Sequence, residues 1–399
     1  MRRKALLSAV FIIGLGAFSL PPDVQASTKS LGEGHTPSIS SDGRGHVFIV
    51  FEGVDSRTGA ADIYYSNSND GGKTWTRRLD VHPTEGVSTR PRVAVEKNGA
   101  IDVVWTDTAY GVYNPEIYFT RSTDYGRTWI TPINISQTPG ASRDPQLAIG
   151  PDDSLHVIFA DTPTAAPTRD IFYASSTDGG KTWSKDRQLE NVSGTPGDSS
   201  EPTLAIAPDG TVHAAWKEED PTSATNHQIY YAQRTQNVWS TAKDVSNTRR
   251  YSYHPVVACG STGKVFITWL DRADREGAAD IWCVALNGNG PLPQPIRVTD
   301  TGSIASAAEM TTDRTDRTAI VWPDRALGLS LPRIRLKMLS NSSNNAHRPI
   351  KISHSSAIQM APAVAIDGDK LTVVWEERSL NSNPIKVKSI DLPKLFSRN

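Results

Sequence analysis

Cysteine is nearly missing. Only Cys259 and Cys283 occur in 399 residues, which excludes a disulfide-stapled scaffold, and no Cys or His spacing suits a zinc or redox centre. A charge excess of either sign is missing as well, since 42 Lys and Arg stand against 43 Asp and Glu. So even a balance is a poor basis for binding nucleic acid or an anionic bilayer. Apolar residues almost nowhere recur with the 3.6-residue period of a helix. Long apolar runs are absent but for "ALLSAVFIIGLGAFSL", which follows Arg2, Arg3 and Lys4 and precedes "PPDVQA".

That start reads as a secretory signal peptide over residues 1–26, cut after Val24-Gln25-Ala26. The run falls short of the roughly 18–20 residues that span a bilayer, and no cysteine near the cut offers a lipid anchor. The expected product is an exported, soluble, monomeric protein, periplasmic or extracellular, with residues 27–399 forming one domain. Removing the leader takes away three basic residues and one acid and shifts the net charge from −1 to about −3.

Repetition fills the rest. The segments "VFIVFE", "IDVVWTD", "LHVIFAD", "VHAAWKEE", "VFITWLD", "TAIVWPD" and "LTVVWEE" put an aromatic at Phe51, Trp105, Phe159, Trp216, Trp269, Trp322 and Trp375. The steps between them are 54, 54, 57, 53, 53 and 53 residues. Each unit starts with proline and an apolar stretch, at Pro37, Pro91, Pro145, Pro202, Pro255 and Pro362; the sixth, "SAAEM", lacks the proline. A Gly/Asp/Asn turn in the first five units and the last, the aromatic-bearing run, a third run such as "DIYYSNS" and a weaker fourth complete the unit. Four short strands per unit in a meander predict an all-β propeller of four-stranded blades, seven favoured and six possible. The seventh unit needs an outer strand, from either "STKSLGEG" or "PKLFSRN".

Three hairpins carry one string: Ser68-Asp70-Gly72-Thr74-Trp75, Ser122-Asp124-Gly126-Thr128-Trp129 and Ser176-Asp178-Gly180-Thr182-Trp183. Ser-x-Asp-x-Gly-x-Thr-Trp resembles the Asp-box of the sialidase-type, or BNR-repeat, propellers. The residue types suit a structural staple: Asp and Ser bond the turn's own backbone, Gly takes a positive φ, and Trp packs. Later units lose the string, as in "RTQNVW", which fits a staple better than a catalytic motif. "NSNDGG" lacks the acid that closes an EF-hand loop, and no metal or cofactor is expected.

In the resembled family the Asp-boxes lie opposite the ligand site, which implies a functional face built from the starts of the first strands and the loops between second and third strands. Residues there include His35, Thr36, Arg90, Arg143, Asp144, Glu201, Tyr253, His254, Ala305 and Met360, with Glu52, Asp107, Asp161, Glu218, Asp271, Asp324 and Glu376 or Glu377 where the second strands end. Acids that recur in every unit read as scaffold. The residues that break the repeat, Arg90, Arg143, Glu201, Tyr253 and His254, are the better ligand candidates, joined by Asp144 and His35.

By the resemblance, Arg90 and Arg143 would hold a substrate carboxylate, Tyr253 with Glu201 would form the nucleophile and its base, and Asp107 or Asp161 would supply the acid. The sequence departs from the family: "HTPSIS" stands where an Arg-Ile-Pro signature belongs, and "LPRIRL" falls in a third strand. Seven units also differ from the six blades of those enzymes. The first reading is therefore a secreted propeller that binds a glycan or other extracellular ligand; the alternatives are a sialidase-like glycoside hydrolase and a protein-interaction scaffold. Tyr110 and Tyr113 in "TAYGVYNPE" suit sugar stacking. Cys259 and Cys283 fall on strands one apart in the same unit, about 9.5 Å across, and are expected as buried free thiols.

Overall fold

The computed structural model describes residues 27–396, apart from 56–57, 85, 110, 163–167, 185–188, 223–225, 249–250, 273–278, 287–289, 291, 300–302, 327–330 and 340–348. The expected signal peptide and Tyr110 lie outside the described residues.

Seven antiparallel sheets surround one axis. In the first blade the strands run outward as His35–Ser41, Val47–Val54, Ala61–Ser68 and Leu79–Asp80. The inner strands of the next blades are Ser88–Val95, Ala141–Ile149, Asp198–Ile206 and Ser252–Cys259. Ser303–Ala305 with Glu309–Thr312, and then Ile358–Asp367, complete the set. Each packs against the next, and the last against the first. The weak fourth runs form outer strands of only two residues in blades one, two, three, five and six. The one described helix is the short segment Leu392–Phe396.

Closure comes from the N-terminal side. Lys29–Glu33 pairs antiparallel with Pro384–Asp391 and becomes the outer strand of the seventh blade. Gly34 N–H donates to Asn383 O at 2.9 Å, and Leu31 is buried against Ile385 and Val387. Of the two sources open to the sequence, this is the first.

A blade is apolar on both faces, and neither can be buried within one sheet. The seven in-register aromatics are each no more than 1% exposed, and seven hydrophobic clusters fill the seven blade-to-blade interfaces. Each fully buried aromatic contributes about 2–3 kcal/mol by burial alone, so the ring is held by its interfaces.

The repeated strings brace those interfaces from one edge. In the first, the Ser68 hydroxyl donates to Asp70 at 2.7 Å and accepts from Gly72 N–H at 2.8 Å. Asp70 also takes Lys73 N–H, Thr74 N–H and the Thr74 hydroxyl at 2.9, 2.9 and 2.6 Å. These bonds outweigh its slight burial and hold the carboxyl at about 2. The next two strings repeat the pattern around Asp124 and Asp178.

The glycine is doubly required. Gly126 and Gly180 sit at φ of 79° and 82°, and a Cβ there would lie 2.2 Å from the Tyr65 ring and 2.1 Å from the Phe119 ring, each on the preceding blade. Trp129 and Trp183 stand edge-on to those same rings, 5.4 and 5.0 Å between centroids. Trp239 keeps this contact with Tyr173 in the fourth blade at 5.4 Å, although the rest of its string is gone.

Both cysteines are free. Val265–Arg272 lies between their strands, Cys283 is buried, and Cys259 is only half-buried, a correction to the expectation of two buried thiols. Burial pushes the Cys259 thiol to about 11 and the Cys283 thiol to about 12.

Three outcomes are expected. Gly180→Ala combines a left-handed backbone with a clash and should lower stability by about 1–3 kcal/mol, read from urea unfolding against wild type. Thiol titration should find two thiols per chain in denaturant without reductant. His156 and His213, buried against Tyr173 and Tyr231, are held at about 4, below the usual 6.5, because burial penalises the charged ring. Their folded values are depressed, so their contribution is whole above pH 6.5 and is lost as pH falls towards 4. The His156→Gln, His213→Gln double variant should flatten the fall in urea midpoint across that window.

Candidate functional site at the axial mouth

In each blade the connection from third to outer strand and the turn after the inner strand share one edge, the one that carries the staples in the first three blades, so the start of the inner strand faces the opposite edge. There the register slips in six of the seven blades, as between Thr89 and Arg92 or Ser200 and Thr203. The residue before the proline takes a left-handed conformation: Thr36, Arg90, Asp144, Glu201, His254 and Ala361, with φ of 43°, 55°, 58°, 53°, 50° and 45°. Proline has no N–H to leave orphaned in such a bulge. The strain is of order 1 kcal/mol or more at each site and is maintained by the packed ring. Ala361, not Met360, holds the repeated position in the seventh blade. The sixth has no proline, and there the inner strand is interrupted between Ala305 and Glu309.

The bulges bring side chains from several blades together. Glu52 accepts from the Thr36 hydroxyl and from Arg90 N–H, the latter at 2.6 Å. The Arg90 guanidinium pairs with Asp144 of the third blade. Glu201 accepts from the backbone N–H of His254 in the next blade at 2.7 Å and lies 3.0 Å from its Nδ1, with Lys217 Nζ at 3.8 Å. His35 Nδ1 meets the buried Glu376 at 2.9 Å, and Arg378 shares that carboxylate. Burial alone would raise the Glu201 carboxyl, but the His254 hydrogen bonds and the charges of His254 and Lys217 bring it down to about 2.

One step deeper, the inner strands offer Ser38, Arg92, Gln146, Thr203, Val256, Glu309 and Ala363 at equivalent register. Ser38 and Thr203 hydroxyls accept backbone N–H groups of the following blade at 3.2 and 3.3 Å. Arg92 Nε donates to Gln146 Oε1 at 2.8 Å. Burial lowers the Arg92 guanidinium while Glu309 counteracts it; burial raises the Glu309 carboxyl while Arg92 and His254 counteract it. Arg92 and Glu309 were not among the residues singled out in the sequence. The signal was present: "SAAEM" aligned on the ring aromatics puts an acid where other units carry small, amide or basic residues.

The remaining expected site residues are dispersed. Asp107 is fully buried and accepts from the Ser88 hydroxyl, Trp105 Nε1 and Ala109 N–H at 2.7, 2.9 and 2.7 Å. Asp161 is buried likewise, bonded to the Ser142 hydroxyl at 3.2 Å, and burial raises its carboxyl. Neither is brought to the cluster of Glu201, His254 and Glu309. Tyr253 is half-buried, edge-on to His254 with centroids 5.1 Å apart and with the Arg272 guanidinium 5.9 Å over its ring. No hydrogen bond joins Tyr253 to Glu201 among the described residues, for Glu201 is engaged by His254. Arg143 is exposed, and Tyr113 stands 96% exposed on the loop after the second strand of blade two.

Chemically, the mouth alternates cationic donors with carboxylate acceptors. A ligand rich in hydroxyl groups, each both donor and acceptor, matches such a surface.

No family model and no curated protein sequence matches the chain. Solved structures do. An ulvan lyase of polysaccharide lyase family 25, bound to a GlcA(1-4)Rha3S unit, superposes with a TM-score of 0.59 at 11% identity over 91% of this chain and 95% of its own. A Hadza microbial sialidase gives 0.55 at 13% identity over 92% and 68%. The Penicillium chrysogenum α-L-arabinanase complexed with arabinobiose gives 0.54 at 16% over 78% and 96%. At such identities these likenesses show the fold, a propeller shared with carbohydrate-active enzymes.

Removing the imidazole in His254→Ala should let the Glu201 carboxyl rise from about 2 towards the ordinary 4.3, followed by carbon-13 NMR of labelled glutamate. An unchanged Glu201 titration would mean that His254 does not hold it.

Proposed function

We propose that this protein binds a glycan at the axial mouth of its propeller, and that residues 1–26 export it to where polysaccharides are met. The observation that supports this most is the convergence of Glu201, His254, Glu309 and Arg92, from four different blades, in a ring whose other features repeat. A ligand site must break the ring's symmetry, and these side chains do so at the one place where all seven inner strands approach. Positive and negative groups are matched there, as in Arg90 with Asp144 and Lys217 with Glu201. Such a balance favours a neutral or singly charged sugar over a polyanion. The likeness to lyase, sialidase and arabinanase propellers supports the ligand class.

A second reading, glycoside hydrolysis, has one observation in its favour. Glu309 is raised by burial while Glu201 is held at about 2, and two carboxyls driven apart near one imidazole are the arrangement that acid and carboxylate roles need. In that reading Glu309 gives the proton and Glu201 stays ionised. The sialidase-like version, with Tyr253 as nucleophile, Glu201 as its base, Asp107 or Asp161 as acid and Arg90 and Arg143 on a carboxylate, has less support, because Glu201 is engaged by His254.

The purified protein should retain members of a glycan array, and Arg92→Ala should weaken the best hit by about tenfold or more in titration calorimetry, about 1.4 kcal/mol. Retention of every hit by that variant would contradict the axial site. Fluorogenic glycosides test the second reading: turnover lost in Glu309→Gln but kept in Tyr253→Phe supports the two-glutamate version, and the converse supports the tyrosine one.

A further inference from the structure

We propose that the first blade carries a site for a divalent cation, with calcium the ion its donors suit, formed by Asp55, Asp62 and Asp80. Asp55 directly follows the second strand, Asp62 lies at the start of the third, and Asp80 ends the outer strand. One carboxylate oxygen from each lies within 4.8 Å of the other two. That separation is twice a calcium–oxygen distance of about 2.4 Å, the span of ligands around a single ion.

The second observation is Asp62 itself. Its side chain is fully buried; Oδ1 accepts from Thr84 N–H and hydroxyl at 3.3 and 3.4 Å, and Oδ2 is buried with no hydrogen-bond partner among the described residues. A buried carboxylate oxygen left bare costs several times what a satisfied one does, unless a cation meets it.

Comparison around the ring shows what the first blade has exchanged. In the third blade the equivalent Asp170 receives the Ser193 hydroxyl on one oxygen at 2.9 Å and Asn191 Nδ2 on the other at 3.1 Å. In the fifth, Asp280 receives the Thr299 hydroxyl at 2.6 Å and Arg297 Nη1 at 3.5 Å. Register makes Asp80 the counterpart of Asn191 and Arg297, and two residues on His82 replaces the hydroxyl residue. At these two positions the first blade thus carries neither the outer-strand donor, replaced by an acceptor, nor the hydroxyl, and Asp55 adds a third carboxylate. An all-carboxylate set selects a hard cation such as calcium or magnesium over zinc or copper. Bound there, the ion would tie the loop after the second strand to the outer strand on the same edge as the axial mouth. The site does not depend on what that mouth binds.

The test uses the full mature chain stripped with a chelator. Calorimetric titration with calcium chloride should show one site per chain, and thermal unfolding should rise by roughly 3–5 °C at a hundredfold excess over Kd, with magnesium giving less. Asp62→Asn should abolish the shift, whereas Asp369→Asn, at an exposed carboxylate elsewhere, should keep it. If Asp62→Asn does not fold, Asp80→Asn at the less buried member carries the same expectation. Equal unfolding temperatures in chelator and in millimolar calcium, or a shift that survives loss of the Asp80 charge, would overturn the proposal.

Discussion

Each blade needs a neighbour on both sides. An antiparallel sheet whose two faces are apolar cannot bury either one alone, and here the second-strand aromatics, from Phe51 to Trp375, are buried at the contacts between blades. Ring closure follows, because an open stack would expose two such faces. The segment Lys29–Glu33 completes the last sheet from the opposite end of the chain, so the final interface resembles the other six. The staple strings act on the same interfaces, and the second and third set a Trp and a close-approaching glycine against the preceding blade's aromatic ring.

The same repetition separates scaffold from site. Six pre-proline bulges put the same backbone kink at the same place, and side-chain identity alone distinguishes them. In two of the bulges the preceding blade supplies an acid to the N–H, Glu52 to Arg90 and Glu201 to His254. Glu201 therefore has a structural duty as well as a place at the mouth. One layer down, Arg92 donates to Gln146 Oε1 and to Pro91 O, and Glu309 is the only acid at its register among the seven inner strands; these two are the more specific features of the axis.

Much of the fold was legible because its period is written in residues that recur from unit to unit: the aromatics, the prolines and the staple strings locate blades without any long-range information. The site was less so, for a reason of parity. Side chains alternate across a strand, so acids one and two residues after the aromatic face opposite sides. Glu52 and Glu376 stand one residue on and reach the inner strands, whereas Asp107 and Asp161 stand two on and are buried beneath the loops. Read together as strand ends, they looked equivalent. Glu309 was obscured for a different reason: the sixth unit has no proline, and its inner strand had no punctuation by which to align it. Partners such as Glu201 and His254, 53 residues apart, meet only once the ring has formed.

The central claim is that the ligand occupies the point where the ring loses its symmetry. A crystal structure of the wild-type protein soaked with a glycan that it retains addresses this directly. The account predicts sugar density over the axis, with hydroxyl groups within hydrogen-bond distance of Arg92 and Glu309. Sugar seated in the clefts between blades or along the staple edge, with the axial mouth holding none, would contradict it.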